Sequence, residues 1–458
     1  MGAANQSKLS SENLSLNFQE IVPALTKQKA VEEANRCLYC YDAPCIKACP
    51  TGIDIPSFIK KIVTGNLKGS AKTIFTANPI GASCSRVCPT EELCEGACVL
   101  NHSTNPIMIG NLQRYATDWA IHNEQFLFSS GKKNGKNVAI VGGGPAGLSA
   151  ARELALLGYE VTIFEAEEKA GGLNTYGIVP FRLPLPISYW EVKQIESLNV
   201  EIRTRTKVGK DIGVEEILRD YDAIILAIGM SKVPTLGITG EDLSGVFDAI
   251  EFVKETKTKP LSSNLLGKKV AVIGAGNTAI DAATNSVRLG ADNVKILYRR
   301  TREEMTAYDF EYEFAKQDGV EFRWLTAPVR IVGDEQGNVM GIECIKMELT
   351  EPGEDGRRRP VPIKGTEFIL EVDAVIKANG QSRYVELIEQ FSLEHNGGVV
   401  KINPTTYQTT NPKVFACGDV IYGKGLKGDA MVVTAVQQGK ESAYSIHQIL
   451  KPSEVETA

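Results

Sequence analysis

Two stretches of the chain share one hydropathy pattern: a strand-length apolar run, a glycine turn, about a dozen residues with apolar positions at helical spacing, then a second apolar strand. They read VAIVGGGPAGLSAARELALLGYEVTIFEA from Val138 and VAVIGAGNTAIDAATNSVRLGADNVKILY from Val270. A unit of this kind, about thirty residues long, is the strand–helix–strand element of a parallel sheet, so its duplication predicts an α/β protein with two doubly wound, Rossmann-like nucleotide-binding folds. After the second unit, EFRWLTAPVRIVGD and GIECIKMEL read as strands and EPGEDGRRRPVP as a polar hairpin or loop. The last eighty residues carry VFACGDV and a closing helix over 430–450 without a glycine fingerprint. They are therefore expected to complete the first fold, with the second fold inserted into it.

The amino-terminal part has a different texture. Residues 57–76 and 111–128 place apolar positions at helical spacing, and SSGKKNGK after them is a hydrophilic linker. This predicts a mostly helical domain whose cysteines sit on loops held by helices. The expected organisation is a flexible tail over 1–30, a helical domain over 31–130, the first fold over 136–232 and 379–452, and the second over 233–378. A chain of 458 residues suits about three domains of ~150 residues.

Charge and leader signals narrow the surroundings. A net charge of −6 with acidic and basic residues interspersed gives no field for nucleic acid, so no polynucleotide partner is expected. The longest apolar runs, such as AIILAIG, fall far short of the ~20 residues that span a bilayer, and no membrane is expected. MGAANQSKLSS lacks a charged start followed by an apolar core, so no leader is expected and the compartment is expected to be the reducing cytoplasm. Met1-Gly2 resembles an acylation signal, but Gln6 stands where that motif needs Ser or Thr, and the reading is discounted.

The turns carry the first chemistry. Gly142, Gly144 and Gly147, with Pro145 and Ala146 between them, follow a strand and open a helix, which lets backbone approach a pyrophosphate at the positive helix terminus. Glu165 closes the next strand, placed to hydrogen-bond an adenosine ribose. The second turn reads Gly274-Ala275-Gly276-Asn277-Thr278-Ala279, and its following strand ends in Tyr298-Arg299-Arg300 with no carboxylate. A carboxylate there would repel a 2′-phosphate and an arginine fork would bind it, so the site leans toward NADPH over NADH. The bland alternative is that Arg299, Arg300 and Arg302 form a solvated face.

Eight of the ten cysteines fall in the first hundred residues, as Cys37-x2-Cys40-x4-Cys45-x3-Cys49-Pro50 and Cys84-x3-Cys88-Pro89-x4-Cys94-x3-Cys98. Soft thiolates suit iron and sulfide, and the closing Cys-Pro echoes the bacterial ferredoxin run. Four residues separate Cys40 from Cys45 where ferredoxins have two, so spacing alone does not assign ligands. Structural zinc is the rival, though it would bring no electron chemistry. His102 is read as a surface histidine, and Cys344 and Cys417 as small buried hydrophobes. Neither nucleotide unit contains a cysteine pair to receive flavin electrons, which leaves the iron–sulfur domain as their route out. A flavin accepts hydride and releases single electrons, matching a nicotinamide donor to one-electron clusters.

Together, CLYCYDAPCIKACPTGIDIPSFI, NPIGASCSRVCPTEELCEGAC, NPIMIGNLQRYA, VGGGPAG, GGLNTYGIVPFRLP, IGAGNTAIDAA, YRRTREEM and VFACGDV resemble the family formed by the glutamate synthase small subunit and the amino-terminal half of dihydropyrimidine dehydrogenase. The resemblance runs from about Arg36 to Leu450. It implies FAD, NADPH or NADH, and two [4Fe-4S] clusters, one held by Cys37, Cys40, Cys45 and Cys98, the other by Cys49, Cys88, Cys94 and Gln113, leaving Cys84 spare. Gly171, Gly172, Leu173 and Arg182 resemble the flavin-proximal loop, and Gly418 and Asp419 the second FAD motif. Within the family the segments are most similar to the separate flavin subunit of the bacterial dehydrogenase, because Gln113 matches its glutamine ligand where the glutamate synthase subunit tends to have Glu. No barrel for FMN and pyrimidine is expected after the flavin fold, so the resemblance implies an FMN-containing, pyrimidine-reducing partner in a hetero-oligomer. No side chain is expected to act as catalytic acid or base. The alternative recipient is the large amidotransferase subunit of glutamate synthase.

Overall fold

The computed structural model describes residues 9–451 except 231, 263, 264, 266, 354, 355 and 424–429. The chain forms two compact units. One comprises Val22–Thr175, Arg182–Met230 and the chain from Arg383; the other comprises the described residues up to Ile21, Tyr176–Phe181 and the inserted stretch that ends at Ser382.

Helix α1 (Ser11–Asn17) belongs to the second unit. The helical domain of the first contains α2 (Lys27–Asn35), α3 (Pro44–Ala48), α4 (Ile55–Val63), α5 (Leu67–Ala77), α6 (Gly81–Val87) and α7 (Ile109–His122). The helical pattern over 57–76 is thus two helices. Gly65 takes φ +75 between them, and the Asn66 side chain caps α5 by accepting from Gly69 N at 2.9 Å. Phe58, Ile59 and Ile62 of α4 pack with Ile74 of α5 and with Ile109, Leu112 and Ala116 of α7. Burying each large side chain contributes about 1.5–3 kcal/mol, and Phe58→Ala would cost about 3–5 kcal/mol. This small core keeps the cysteine loops in place.

The first sheet is parallel and contains β1 (Asn137–Val141), β2 (Glu160–Phe164), β3 (Glu201–Arg203) and β4 (Ala223–Leu226). The strand Val414–Ala416 returns to pair with β4, so the order runs from it through β4, β1 and β2 to β3. Helix α8 (Pro145–Leu156) crosses from β1 to β2 and packs against the closing helix Val432–Leu450.

The second sheet repeats the plan with β5 (Val246–Asp248), β6 (Lys269–Ile273), β7 (Asn293–Leu297) and β8 (Glu321–Arg323), and with Ala374–Lys377 between β5 and β6. This second fold is inserted in the first. The apolar stretch after β7 reads as one strand but breaks at Leu325, whose φ is +49. β8 ends the parallel sheet, and Thr326–Gly333 starts an antiparallel one with Val339–Leu349. Pro360–Pro362, in the stretch expected as a polar hairpin or loop, pairs back on Met347–Leu349 and adds to its edge.

The flexible tail expected over 1–30 needs correction over its described part. Ser10 caps α1 by accepting from Asn13 N at 3.1 Å, and Leu14 is buried in the second fold's core with Leu9 and Phe18 against it. The Arg288 guanidinium donates to Asn17 O (2.6 Å) and Asn17 Nδ2 to Arg288 O (3.0 Å). The apolar stripe at 9, 14 and 18, together with the paired bonds between Asn17 and Arg288, holds this segment on the fold. α2 likewise begins at Lys27 inside the expected tail. Two expected boundaries also move: Tyr176–Phe181 clusters with the inserted fold, where Val179 and Phe181 pack on Val253, and the return falls at Ser382–Arg383 rather than after 378.

Candidate cofactor sites

Helix ends and short turns place the cysteines. Cys37 follows α2, Cys45 lies in α3, Cys49 terminates α3, Cys84 lies in α6, Cys88 terminates α6, and Cys98 precedes the 3-10 turn Val99–His102. Cys37, Cys40, Cys45 and Cys98 line one hollow, walled by Leu38, Pro44, Ile55, Ile59 and Ile107. Burial pushes the Cys37 thiol pKa up, and the neighbouring Cys40 and Cys98 push it further. Burial, with Cys37 and Cys98 adding, raises Cys45 to about 11. A hollow lined by four cysteines, in which burial and neighbouring thiols hold Cys37 and Cys45 protonated, fits a site where a positive metal centre would draw them into the thiolate form.

Cys49, Cys84, Cys88 and Cys94 form a second group. The Cys88 pKa is raised well above normal, first by its hydrogen bond with Cys84, then by burial and by Cys84, Cys94 and Cys49. Cys94 is pushed up by burial, Glu95, Cys49 and Cys45, so the two groups adjoin through Cys45. Gln113 is buried on α7, and its Nε2 donates to Gly81 O at 2.7 Å, which ties it to the start of α6. Cys84 is buried too, and its contact with Cys88 follows from their i, i+4 spacing on one helical turn.

A residue the sequence reading missed anchors this group. Glu191, on the helix Leu185–Glu196, is buried and accepts from Ala82 N and Ser83 N, both at 2.9 Å, and from the Ser83 hydroxyl. It satisfies the amino-terminal donors of α6 from the first nucleotide fold. Burial raises its pKa to about 7 despite those donors. A lone Glu in an otherwise ordinary helix gives no sequence signal of this.

The glycine turn after β1 fits a dinucleotide. Gly142 takes φ +105, and a Cβ there would lie 2.4 Å from Ala227 O, so only glycine serves. Gly144 precedes α8 with no side-chain cap, leaving donors free for a phosphate, and Pro145 and Ala146 open the helix with Gly147 close behind. Gly172 closes over the turn: a Cβ on it would reach Gly144 Cα at 2.8 Å, a cradle a side chain would fill. Leu173 follows, and Arg182 is half-buried. Glu165 is buried, with Oε2 accepting from Gly143 N (2.9 Å) and Oε1 from Glu167 N (2.8 Å), and its pKa is raised by burial. Gly418 N donates to Gln438 Oε1 at 2.8 Å. Burial raises the Asp419 pKa and Arg383 opposes it, while Arg383 donates to Asp419 O and to Tyr422 O.

The inserted fold repeats the turn at Gly274, with Ala275 and Gly276 leading into the helix Asn277–Arg288, again uncapped by any side chain. Asn277 Oδ1 is buried without a hydrogen-bond partner among the described residues, and Thr278 follows it on the first turn. The three arginines part company. Arg299 is exposed, and Arg302 donates to Asp309 Oδ1 (2.6 Å) and stacks 4.3 Å over the Tyr312 ring. Arg300 is half-buried beside the Tyr298 hydroxyl, with its Nε unpartnered among the described residues.

This geometry, cysteine-rich loops beside one nucleotide fold with a second inserted in it, defines an NAD(P)H-dependent FAD and iron–sulfur oxidoreductase. The comparisons agree. Residues 14–125 match dihydropyrimidine dehydrogenase domain II, 4Fe-4S cluster, and residues 136–439 match the pyridine nucleotide-disulphide oxidoreductase family. The chain belongs to the family of the glutamate synthase small chain and the dihydropyrimidine dehydrogenase flavin subunit. It is 35% identical to the Escherichia coli glutamate synthase [NADPH] small chain over 94% of this chain and 93% of that one. It is 34% identical to the NAD-dependent dihydropyrimidine dehydrogenase subunit PreT of Salmonella typhimurium over 95% and 97%. Identity is 37% to the NADP(+)-dependent formate dehydrogenase subunit beta of Moorella thermoacetica, over 89% of this chain and 60% of that longer relative. Among solved structures, Mycobacterium tuberculosis FprA in complex with NADPH shares the fold (TM-score 0.56, 21% identity, 68% of this chain and 84% of that one). Among the described residues no helix is long and apolar enough to cross a membrane.

Proposed function

We propose that the chain is the NAD(P)H-oxidising subunit of a dihydropyrimidine dehydrogenase, passing electrons to an FMN-containing partner that reduces uracil or thymine. When bound, FAD accepts a hydride and releases its electrons one at a time, and [4Fe-4S] clusters carry them singly. Gly142, Gly144 and the free end of α8 bind the FAD pyrophosphate, Glu165 its adenosine ribose, and Asp419 with Gly418 its remaining end. Gly274, Gly276 and Asn277 seat the nicotinamide dinucleotide. Arg300, with Arg299, receives a 2′-phosphate when NADPH is the donor. Cys37, Cys40, Cys45 and Cys98 hold one cluster, and Cys49, Cys88, Cys94 and Gln113 a second. The chain's work is positioning and setting potentials rather than acid or base catalysis.

The observation that supports this reading most is the pair of adjoining cysteine groups packed in one unit with the first nucleotide fold. The isolated chain should oxidise NAD(P)H with artificial acceptors and reduce uracil only when a partner is added. Robust uracil reduction by this polypeptide alone would end the division of labour. A second reading is favoured by the extent of the match to the glutamate synthase small chain: the same input with a large amidotransferase as recipient. Isolation of the native complex separates the two, since a flavoprotein that binds pyrimidines and a large amidotransferase differ in size and cofactor.

A further inference from the structure

The two glycine turns are built alike but face different neighbours. Gly144 and Gly276 each stand at the start of a twelve-residue helix with no side chain capping its first amides. Over Gly144 there is only backbone, since a Cβ there would meet Gly172 Cα at 3.7 Å. Over Gly276 there is a hydroxyl. A Cβ on Gly276 would stand 3.2 Å from Thr306 Oγ1, and among the described residues nothing else beyond its chain neighbours comes within 4 Å. Gly274, two positions earlier, is closed by backbone instead: it takes φ +126, and a Cβ would lie 2.2 Å from Ala378 O.

Thr306 is held in that place by its own segment. Ala307 N donates to Ala275 O at 3.3 Å, which ties the segment directly to the glycine turn. Met305 and Ala307 are both buried in the core of the inserted fold, so the chain on either side of Thr306 is fixed. The turn before it is closed as well, with Thr301 N donating to Glu304 Oε2 at 3.0 Å, the Tyr298 hydroxyl to Glu304 O at 2.7 Å and Met305 N to Arg302 O at 3.2 Å. Between its buried neighbours Thr306 is exposed, and its hydroxyl makes no hydrogen bond among the described residues. A threonine used to close its own turn would bond nearby backbone. This one, stiff at χ1, presents its oxygen to the mouth of an uncapped helix, where a dinucleotide's phosphates bind.

We propose that Thr306 is a nucleotide-binding residue: its hydroxyl donates to the pyrophosphate of the nicotinamide dinucleotide that the first amides of the helix Asn277–Arg288 receive. The pyrophosphate is common to NADH and NADPH. Thr306 therefore adds affinity for both and chooses between neither, which leaves the choice to Arg300. The inference rests on the inserted fold being the nicotinamide site, as proposed above.

The test is calorimetric titration of the full chain, with FAD and clusters loaded, with NAD+, NADP+ and ADP-ribose, for wild type, Thr306→Val, Thr306→Ala and Thr306→Ser. Valine keeps the shape and removes the hydroxyl, and should raise the Kd of every ligand that wild type binds about tenfold, the ordinary effect of deleting a hydrogen bond to a charged group. Thr306→Ala should do the same, and supplies the reading if the Val variant falls short in iron or FAD content. Thr306→Ser keeps the hydroxyl and should stay within about threefold of wild type. Binding by the Val and Ala variants as tight as wild type would overturn the proposal, as would a Ser variant as weak as they are. A loss with NAD+ and NADP+ that spares ADP-ribose would also overturn it, because the contact would then lie at the nicotinamide end. Wild type that binds none of the three would instead end the reading of the inserted fold as the nicotinamide site.

Discussion

Replacing Arg300 by Ala tests how the inserted fold chooses its nucleotide. The structure separates three arginines that look alike in YRRTREE. Arg302 is committed to Asp309 and the Tyr312 ring, and Arg299 is exposed, where solvent and salt screen its charge. Arg300 is half-buried beside the Tyr298 hydroxyl, where its charge is less screened by solvent and would meet a 2′-phosphate. A charge-assisted hydrogen bond of this kind contributes about 1.5–3 kcal/mol, and 1.36 kcal/mol is about a tenfold change. Arg300→Ala should therefore lower kcat/KM for NADPH about ten- to hundredfold, and leave that for NADH within about threefold. Adding Arg299→Ala should deepen the change slightly, and Arg302→Ala should not alter the preference. The assay is steady-state oxidation of both nucleotides with an artificial acceptor. Equal losses with NADPH and NADH would show that Arg300 reads no phosphate.

Two further outcomes follow from the cysteine domain. Cys84→Ser should retain about eight irons per chain, as two four-iron clusters require, while Gln113→Ala should perturb one cluster's redox signal and spare the other; loss of a cluster with the first and no change with the second would return the assignment to cysteine ligands alone. Glu191, held near pKa 7 in the fold against an ordinary value of 4.5, keeps a proton between about pH 5 and 7 that the unfolded chain releases. Stability should fall as pH rises through that window, by up to about 3 kcal/mol, and Glu191→Gln should remove that slope. Denaturant midpoints of the two proteins that run parallel from pH 5 to 7.5 would contradict this.

The hydrophobic periods made both nucleotide folds and the insertion legible, because a strand, a glycine turn and a helix each leave a local pattern. The places of Gly142 in a turn and Glu165 at a strand end were readable for the same reason, and Glu165 accepts from the Gly143 amide. Less local features were hidden. α1 looked like a tail because Leu9, Leu14 and Phe18 form a stripe too short to announce itself without the groove it fills. Glu191 was invisible as a site residue because it acts on amides 108 and 109 positions away. The arginines required the structure for another reason: their sequence shows three equal charges, and only packing shows which are spent.

The central claim is that flavin and clusters form one conduit, and reverse flow tests it most directly. The loaded chain is reduced with dithionite, the excess is removed, and NADP+ or NAD+ is added while cluster resonance signals and nicotinamide absorbance are followed. Cluster signals should vanish as reduced nicotinamide forms, about two per chain, one from the reduced flavin and one from two single-electron clusters, and should persist in protein stripped of FAD. Flavin reoxidation with cluster signals unchanged, or cluster oxidation that proceeds without FAD, would contradict it.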